Sequence, residues 1–214
     1  MSWFQLDPQR LAERTRSAGM QPPSLGASLW RGIIGFTLVS VAGFVPWAVF
    51  GRWFYRHIGE AGLYGVCALV FIGLSAPLMH RLIMGPGSMS RFFKLFSLSF
   101  AAYSVAWIGG WMALRDHPGS VAGLLAGTVV MGLMLAAAFD AWGQTVKVIA
   151  ALFLLNSAGY FLGGVVEGAF IRQHALTAML MWGVFYGVGL GAGLGLAFHL
   201  CQSRARALLA SNSD

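Results

Sequence analysis

The chain has few charged residues. Only 10% of its 214 residues are Asp, Glu, Lys or Arg, whereas about 25% is usual in soluble domains, and 57% are hydrophobic. A water-soluble surface cannot be built from this composition. Soluble enzymes and soluble binding domains are therefore excluded.

The sequence also lacks the residue patterns of common reactive sites. It has no Gly-rich phosphate loop ending in Lys, no His-Glu-x-x-His, no cysteine pair at metal-ligand spacing and no Gly-x-Ser-x-Gly. Its two cysteines, Cys67 and Cys201, fall at different depths of predicted membrane segments, so no disulfide is expected. An enzyme is the least favoured class, no metal site is predicted, and the sequence identifies no cofactor.

The chain does contain six apolar runs, each about 20 residues or longer and thus able to cross a hydrocarbon core of about 30 Å. Their predicted bounds are 29–54, 60–83, 92–114, 119–141, 146–171 and 175–201. The short connections make sequential helices antiparallel neighbours. The fold class predicted is an all-α integral membrane protein of six transmembrane helices, in contact with the lipid bilayer.

Basic residues indicate the orientation. Four lie at one end of the predicted spans, whereas ten lie at the other, and the positive-inside rule places the ten in the cytoplasm together with both termini. The four are Arg52, Arg56, Arg115 and Arg172, and the ten are Arg10, Arg14, Arg16, Arg31, Arg81, Arg91, Lys94, Lys147, Arg204 and Arg206. Because these charges sit at span ends rather than along one face, no nucleic-acid partner is expected. The bacterial cytoplasmic membrane is the expected location.

Three regions follow from this topology. Residues 1–27 are predicted to form a cytoplasmic interfacial arm, in which Asp7 and Pro8 start a short helix. Residues 28–202 form the six-helix domain, and residues 203–214 form a short polar cytoplasmic tail.

An internal repeat of three helical hairpins is a further hypothesis. Ala42-Gly43-Phe44, Ala101-Ala102-Tyr103 and Ala158-Gly159-Tyr160 recur along the chain, as do the arginines that follow them. Repeats are frequent in transporter folds. Apolar helices of similar length and composition would also produce such a pattern by coincidence.

Glycine is abundant and patterned. Gly183, Gly187, Gly191 and Gly195 recur every fourth residue in the last span, a spacing that lets another helix approach closely. Gly159 and Gly163 in the preceding span offer the expected packing partner. Internal packing is favoured, and an intermolecular interface, in a homo-oligomer or a larger membrane complex, is the alternative.

Polar residues inside spans are the candidate sites, because they are costly in lipid. Glu167, Asn156 and Tyr160 are candidates for a ligand or ion path, although each also has a purely structural interpretation. A cytoplasmic-end cluster of His80, Asp140 and His199 is the second candidate, suited to a proton relay or to a divalent transition metal, although its spacing matches no known metal motif. An ion pair between Asp140 and Lys147 is the alternative for that carboxylate.

Polar groups at mid-membrane are sparse for a transporter of hydrophilic solutes. The sequence therefore favours a non-catalytic packing or accessory subunit of a membrane complex. A transporter or channel for a small solute or a lipophilic ligand is the alternative.

Overall fold

The computed structural model describes residues 4–211, and of Glu60 and Ala61 the backbone only. This part of the chain contains eight α-helices, two single 3₁₀ turns and no strand. The helices are α1 Pro8–Ser17, α2 Leu25–His57, α3 Gly59–Met79, α4 Ser88–Leu114, α5 Asp116–Ala138, α6 Thr145–Phe170, α7 Ala175–Cys201 and α8 Ser203–Ala210. The 3₁₀ turns are His80–Leu82 and Trp142–Gln144.

Helices α2 to α7 are each long and apolar enough to cross a membrane, which confirms the six predicted spans. Helix boundaries differ from prediction where local capping decides them. Helix α2 starts at Leu25 because the Ser24 side chain accepts a hydrogen bond from the backbone N–H of Ala27. Helix α5 ends at Ala138. Asp140, two residues later, has a φ of 50°, which is incompatible with a right-handed α-helix.

The six spanning helices form a ring in sequence order. Each packs against its neighbours in the chain, and α7 closes the ring by packing extensively against α2. Contacts are more extensive within the pairs α2–α3, α4–α5 and α6–α7 than between α3 and α4 or between α5 and α6. The contact between α2 and α7, which belong to different sequential pairs, is the most extensive of all, and the internal repeat stays a prediction.

The glycine stripe of α7 lies against α2. A Cβ atom at Gly191 would stand 2.5 Å from the carbonyl oxygen of Gly32, and one at Gly195 would stand 2.5 Å from that of Ser28. Gly187 also faces the backbone of α2, and the Gly183 carbonyl accepts a hydrogen bond of 2.7 Å from Ser40 of that helix. The expected partner, α6, instead meets another face of α7. The stripe is therefore filled within the chain and is not free for a second molecule.

Helix α6 packs against α7 through two of its own glycines. A Cβ atom at Gly159 would lie 2.9 Å from the Cα of Gly189, so the two backbones are in contact there. Gly163 makes room for the indole ring of Trp182. Both glycines predicted for helix packing thus lie at a helix contact, but their partners on α7 are outside the four-residue stripe.

Aromatic rings fill the interior of the ring of helices. Phe36 of α2 is fully buried, and its ring centroid lies 5.8 to 6.4 Å from those of Phe71, Phe96, Phe100 and Tyr186. Such offset and edge-on pairs stabilise a core beyond the area they bury. Rings rather than polar groups thus occupy the space around Phe36, which gives a hydrophilic solute no path there.

The first and last helices of the described chain, α1 and α8, lie at one end of the ring, here called the terminal end; the opposite end is the far end. At the terminal end α1 packs against α8, and Arg16 donates a hydrogen bond of 3.2 Å to the Leu208 carbonyl. The apolar side of the N-terminal segment, including Leu6 and Leu11, is buried in the same hydrophobic cluster as the bundle. Protein, rather than lipid, covers that side.

Candidate functional site

A shallow cavity of about 370 Å³, largely open to its surroundings, lies among α5, α6 and α7 toward the far end. Three helices supply its lining: His117, Ser120, Tyr160, Phe161, Gly164, Val165 and Trp182. Val165 is 71% exposed, so the cavity meets the surface that faces lipid. We call it the lateral cavity.

Aromatic rings form most of its wall. The Tyr160 ring lies edge-on to Phe161 and to Trp182, with centroids 5.3 and 5.6 Å apart. The Trp182 indole donates a hydrogen bond of 3.2 Å to the Tyr160 carbonyl, which fixes α7 to α6 at this depth. His117, in the first turn of α5, reaches across to Phe161 with a ring separation of 5.0 Å.

Two lining groups can donate a hydrogen bond to a ligand that enters from lipid. They are the imidazole of His117 and the phenol of Tyr160. The Ser120 hydroxyl already donates to the Asp116 carbonyl at 3.1 Å, which leaves it as an acceptor. Among the described residues, no Asp, Glu, Lys or Arg side chain lines the cavity.

A buried polar cluster lies one helical turn below Tyr160. The fully buried Asn156 side-chain amide donates a hydrogen bond of 2.9 Å to the Tyr103 hydroxyl, and the Tyr103 hydroxyl also interacts with Tyr186. In the described part of the chain, the Asn156 side-chain oxygen has no hydrogen-bond partner. The cluster joins α4, α6 and α7 across the ring.

Glu167 lies two turns from Tyr160, on the same face of α6, and is half-buried. Among residues 4–211, its carboxylate forms no ion pair. Arg115 places its guanidinium 5.3 Å from the centroid of the Trp111 ring. Asn156, Tyr160 and Glu167 therefore share a stripe of α6 that runs from the polar cluster past the cavity toward the far end.

The structure does not bring His80, Asp140 and His199 together. Asp140 pairs with Arg204 at 3.4 Å, rather than with Lys147, and both partners are exposed. The Nδ1 atom of His80 is hydrogen-bonded to the Ser88 hydroxyl at 2.8 Å. Within the described residues, no group of three His, Cys, Asp or Glu side chains is placed to hold a metal ion.

His199, the third member of the predicted cluster, lies close to a cation. Its Nδ1 atom is buried without a partner among the described residues, and the neighbouring Arg206 interacts with it electrostatically. Burial lowers the pKa of the Arg206 guanidinium. A guanidinium beside the imidazole opposes the binding of a second cation there.

Sequence reasoning missed most of the residues around Tyr160. His117, Ser120 and Trp182 come from two other helices, and Tyr103 and Tyr186 look like ordinary aromatic residues of a span. The one feature of the sequence that could have indicated this site is His117, a histidine at the start of a span. No family model, curated protein or solved structure matches this chain.

Proposed function

We propose that the protein is a non-catalytic membrane protein that binds a neutral lipophilic molecule in the lateral cavity. The molecule carries a ring and a hydrogen-bonding group, as quinones do. The observation that carries this proposal is the lining, which combines three aromatic rings with the polar groups of His117 and Tyr160.

The chemistry of the lining favours a neutral ring over an ion. An ionised ligand would have to leave water and would find no countercharge in the lining of the cavity. The transfer of such a charge into lipid is costly. Flat rings gain offset or edge-on contacts from Tyr160, Phe161 and Trp182. The Ser120 hydroxyl points its proton to its own helix, so it is not paired with His117 as a nucleophile is with its base.

We also propose that the terminal end faces the cytoplasm of a bacterial cell. Ten of the fourteen basic residues support this orientation. The lateral cavity then opens to the outer leaflet.

Two glycines of α6 provide a matched test of the cavity. Gly164 lines it and Gly168 lies one turn beyond, and a Cβ atom at either position would meet nothing within 4 Å. Gly164→Leu should fill the cavity without disturbing the fold, whereas Gly168→Leu should leave it open. We expect a photoreactive short-chain quinone to label wild-type protein in nanodiscs saturably, on peptides of α5 and α6.

Saturable labelling should persist in Gly168→Leu and weaken at least about tenfold in Gly164→Leu, equivalent to about 1.4 kcal/mol. Unlabelled quinone should compete. Labelling that does not saturate, or that is equal in the two variants, would contradict the proposal.

A role as an accessory subunit is the second candidate. The observation that favours it is that Gly164 and Gly168 lie at i and i+4 with open space in front of them, where a partner helix could approach. A partner on this face would contact both positions. Both leucine variants should then lose co-purification of that partner, whereas the cavity proposal predicts an effect of Gly164→Leu alone.

A further inference from the structure

A second cavity, of about 460 Å³, lies between α2 and α3 at the terminal end. It begins at Arg31 and Arg81 and continues between Ile34 and Leu38 on one side and Leu78 on the other. The two helices touch at Gly35, where a Cβ atom would stand 2.8 Å from Met79, so the contact forms the floor of a groove. We call it the basic groove.

Two arginines are held at the mouth of this groove. The Arg31 guanidinium donates a hydrogen bond of 3.1 Å to the Arg81 carbonyl, which keeps the two residues together. Both side chains are exposed, and no acidic residue lines the groove. Two uncompensated guanidiniums favour an anion with several oxygen atoms, and phosphate matches their fork geometry.

The rest of the groove is apolar and continuous with the charged mouth. Trp30 is 64% exposed, and Ile34 and Leu38 are each 54% exposed. These three residues are spaced by four along α2, so their stripe runs about 12 Å along the helix. A molecule that satisfies both parts needs an anionic head and a hydrocarbon chain of at least this length.

We propose that the basic groove binds an anionic phospholipid. Its phosphate contacts Arg31 and Arg81, the Trp30 ring lies at the level of the headgroup, and one acyl chain follows Ile34 and Leu38. The site lies at the opposite end of the molecule from the lateral cavity and does not depend on the function proposed for that cavity.

The test is native mass spectrometry of the full chain in detergent, titrated with dioleoyl phosphatidylglycerol. We expect saturable binding of one lipid and no saturable binding of dioleoyl phosphatidylcholine. Arg31→Gln combined with Arg81→Gln should weaken phosphatidylglycerol binding at least about tenfold, because charge-assisted hydrogen bonds are lost. The matched control is Arg52→Gln with Arg56→Gln, two exposed arginines at the other end of α2, which should bind like wild type.

A second variant leaves both arginines in place. Leu38→Trp fills the apolar part of the groove from an exposed position and should also weaken binding of phosphatidylglycerol. Glycerol phosphate, the headgroup without chains, should not compete. Equal binding of phosphatidylcholine, full competition by glycerol phosphate, or wild-type affinity in the Leu38→Trp variant would each overturn the proposal.

Discussion

Arg91 is a charged side chain that the protein buries at the terminal end. It lies in the first turn of α4, is 6% exposed, and donates hydrogen bonds of 3.3 Å to the carbonyl oxygens of Met84, Gly85 and Gly87. Both of these glycines have positive φ, a conformation that turns the connection between α3 and α4 back over the guanidinium. By position alone Arg91 is one of ten topology-setting cations; in the structure it organises a loop.

Replacing Arg91 should therefore destabilise the protein. Hydrogen bonds to charged groups each contribute about 1.5–3 kcal/mol, so Arg91→Gln should lower the free energy of unfolding by at least about 2 kcal/mol. Arg91→Lys should rescue little, because an ammonium cannot span several carbonyls as a guanidinium does. Unfolding in a denaturing detergent measures this, with the exposed Arg52→Gln as the control, expected to stay within about 0.5 kcal/mol. A lysine variant as stable as wild type would contradict the role.

Helix α7 holds the ring together because it carries two small-residue faces. Gly191 and Gly195 face α2, while Gly189 faces Gly159 of α6. The four-residue spacing correctly predicts which glycines share a face. The same spacing cannot predict which helix meets that face. Closure of the ring between α2 and α7 brings together segments about 150 residues apart, and local periodicity contains no information about such a contact.

Gly191→Ala should separate α2 from α7. The new methyl group would meet the Gly32 carbonyl, and a backbone atom cannot move aside as a flexible side chain can. Overpacking of this kind costs about 1–3 kcal/mol, measured as the loss of free energy of unfolding. The control is Gly109→Ala in α4, where a Cβ atom meets nothing within 4 Å and alanine should stabilise the helix by up to about 1 kcal/mol. Equal stability of the two variants would show that α2 and α7 are not in close contact.

Across the whole molecule, hydrophobic length alone predicted the six spans, because lipid requires each crossing helix to satisfy its own backbone. The burial of Leu11 of α1 among the residues of the terminal end was not predictable, since an amphipathic segment packs equally well on lipid or on protein. Of the residues that line the lateral cavity, only Tyr160 was among the candidate site residues from the sequence. His117 and Trp182 lie on α5 and α7, and the local sequence pattern does not specify which faces of these helices meet α6.

The orientation of the whole ring in the membrane is open to a direct test. Single cysteines are placed at Gln173, exposed at the far end, and at Ser211, exposed at the terminal end, after Cys67 and Cys201 are changed to alanine. The excess of basic residues at the terminal end predicts that a membrane-impermeant maleimide labels Gln173→Cys in intact cells and Ser211→Cys only after lysis. A permeant maleimide, as the control, should label both without lysis. The reverse pattern would contradict the proposed orientation. The lateral cavity would then open to the inner leaflet, and the basic groove would lie away from the anionic lipids of the cytoplasmic surface.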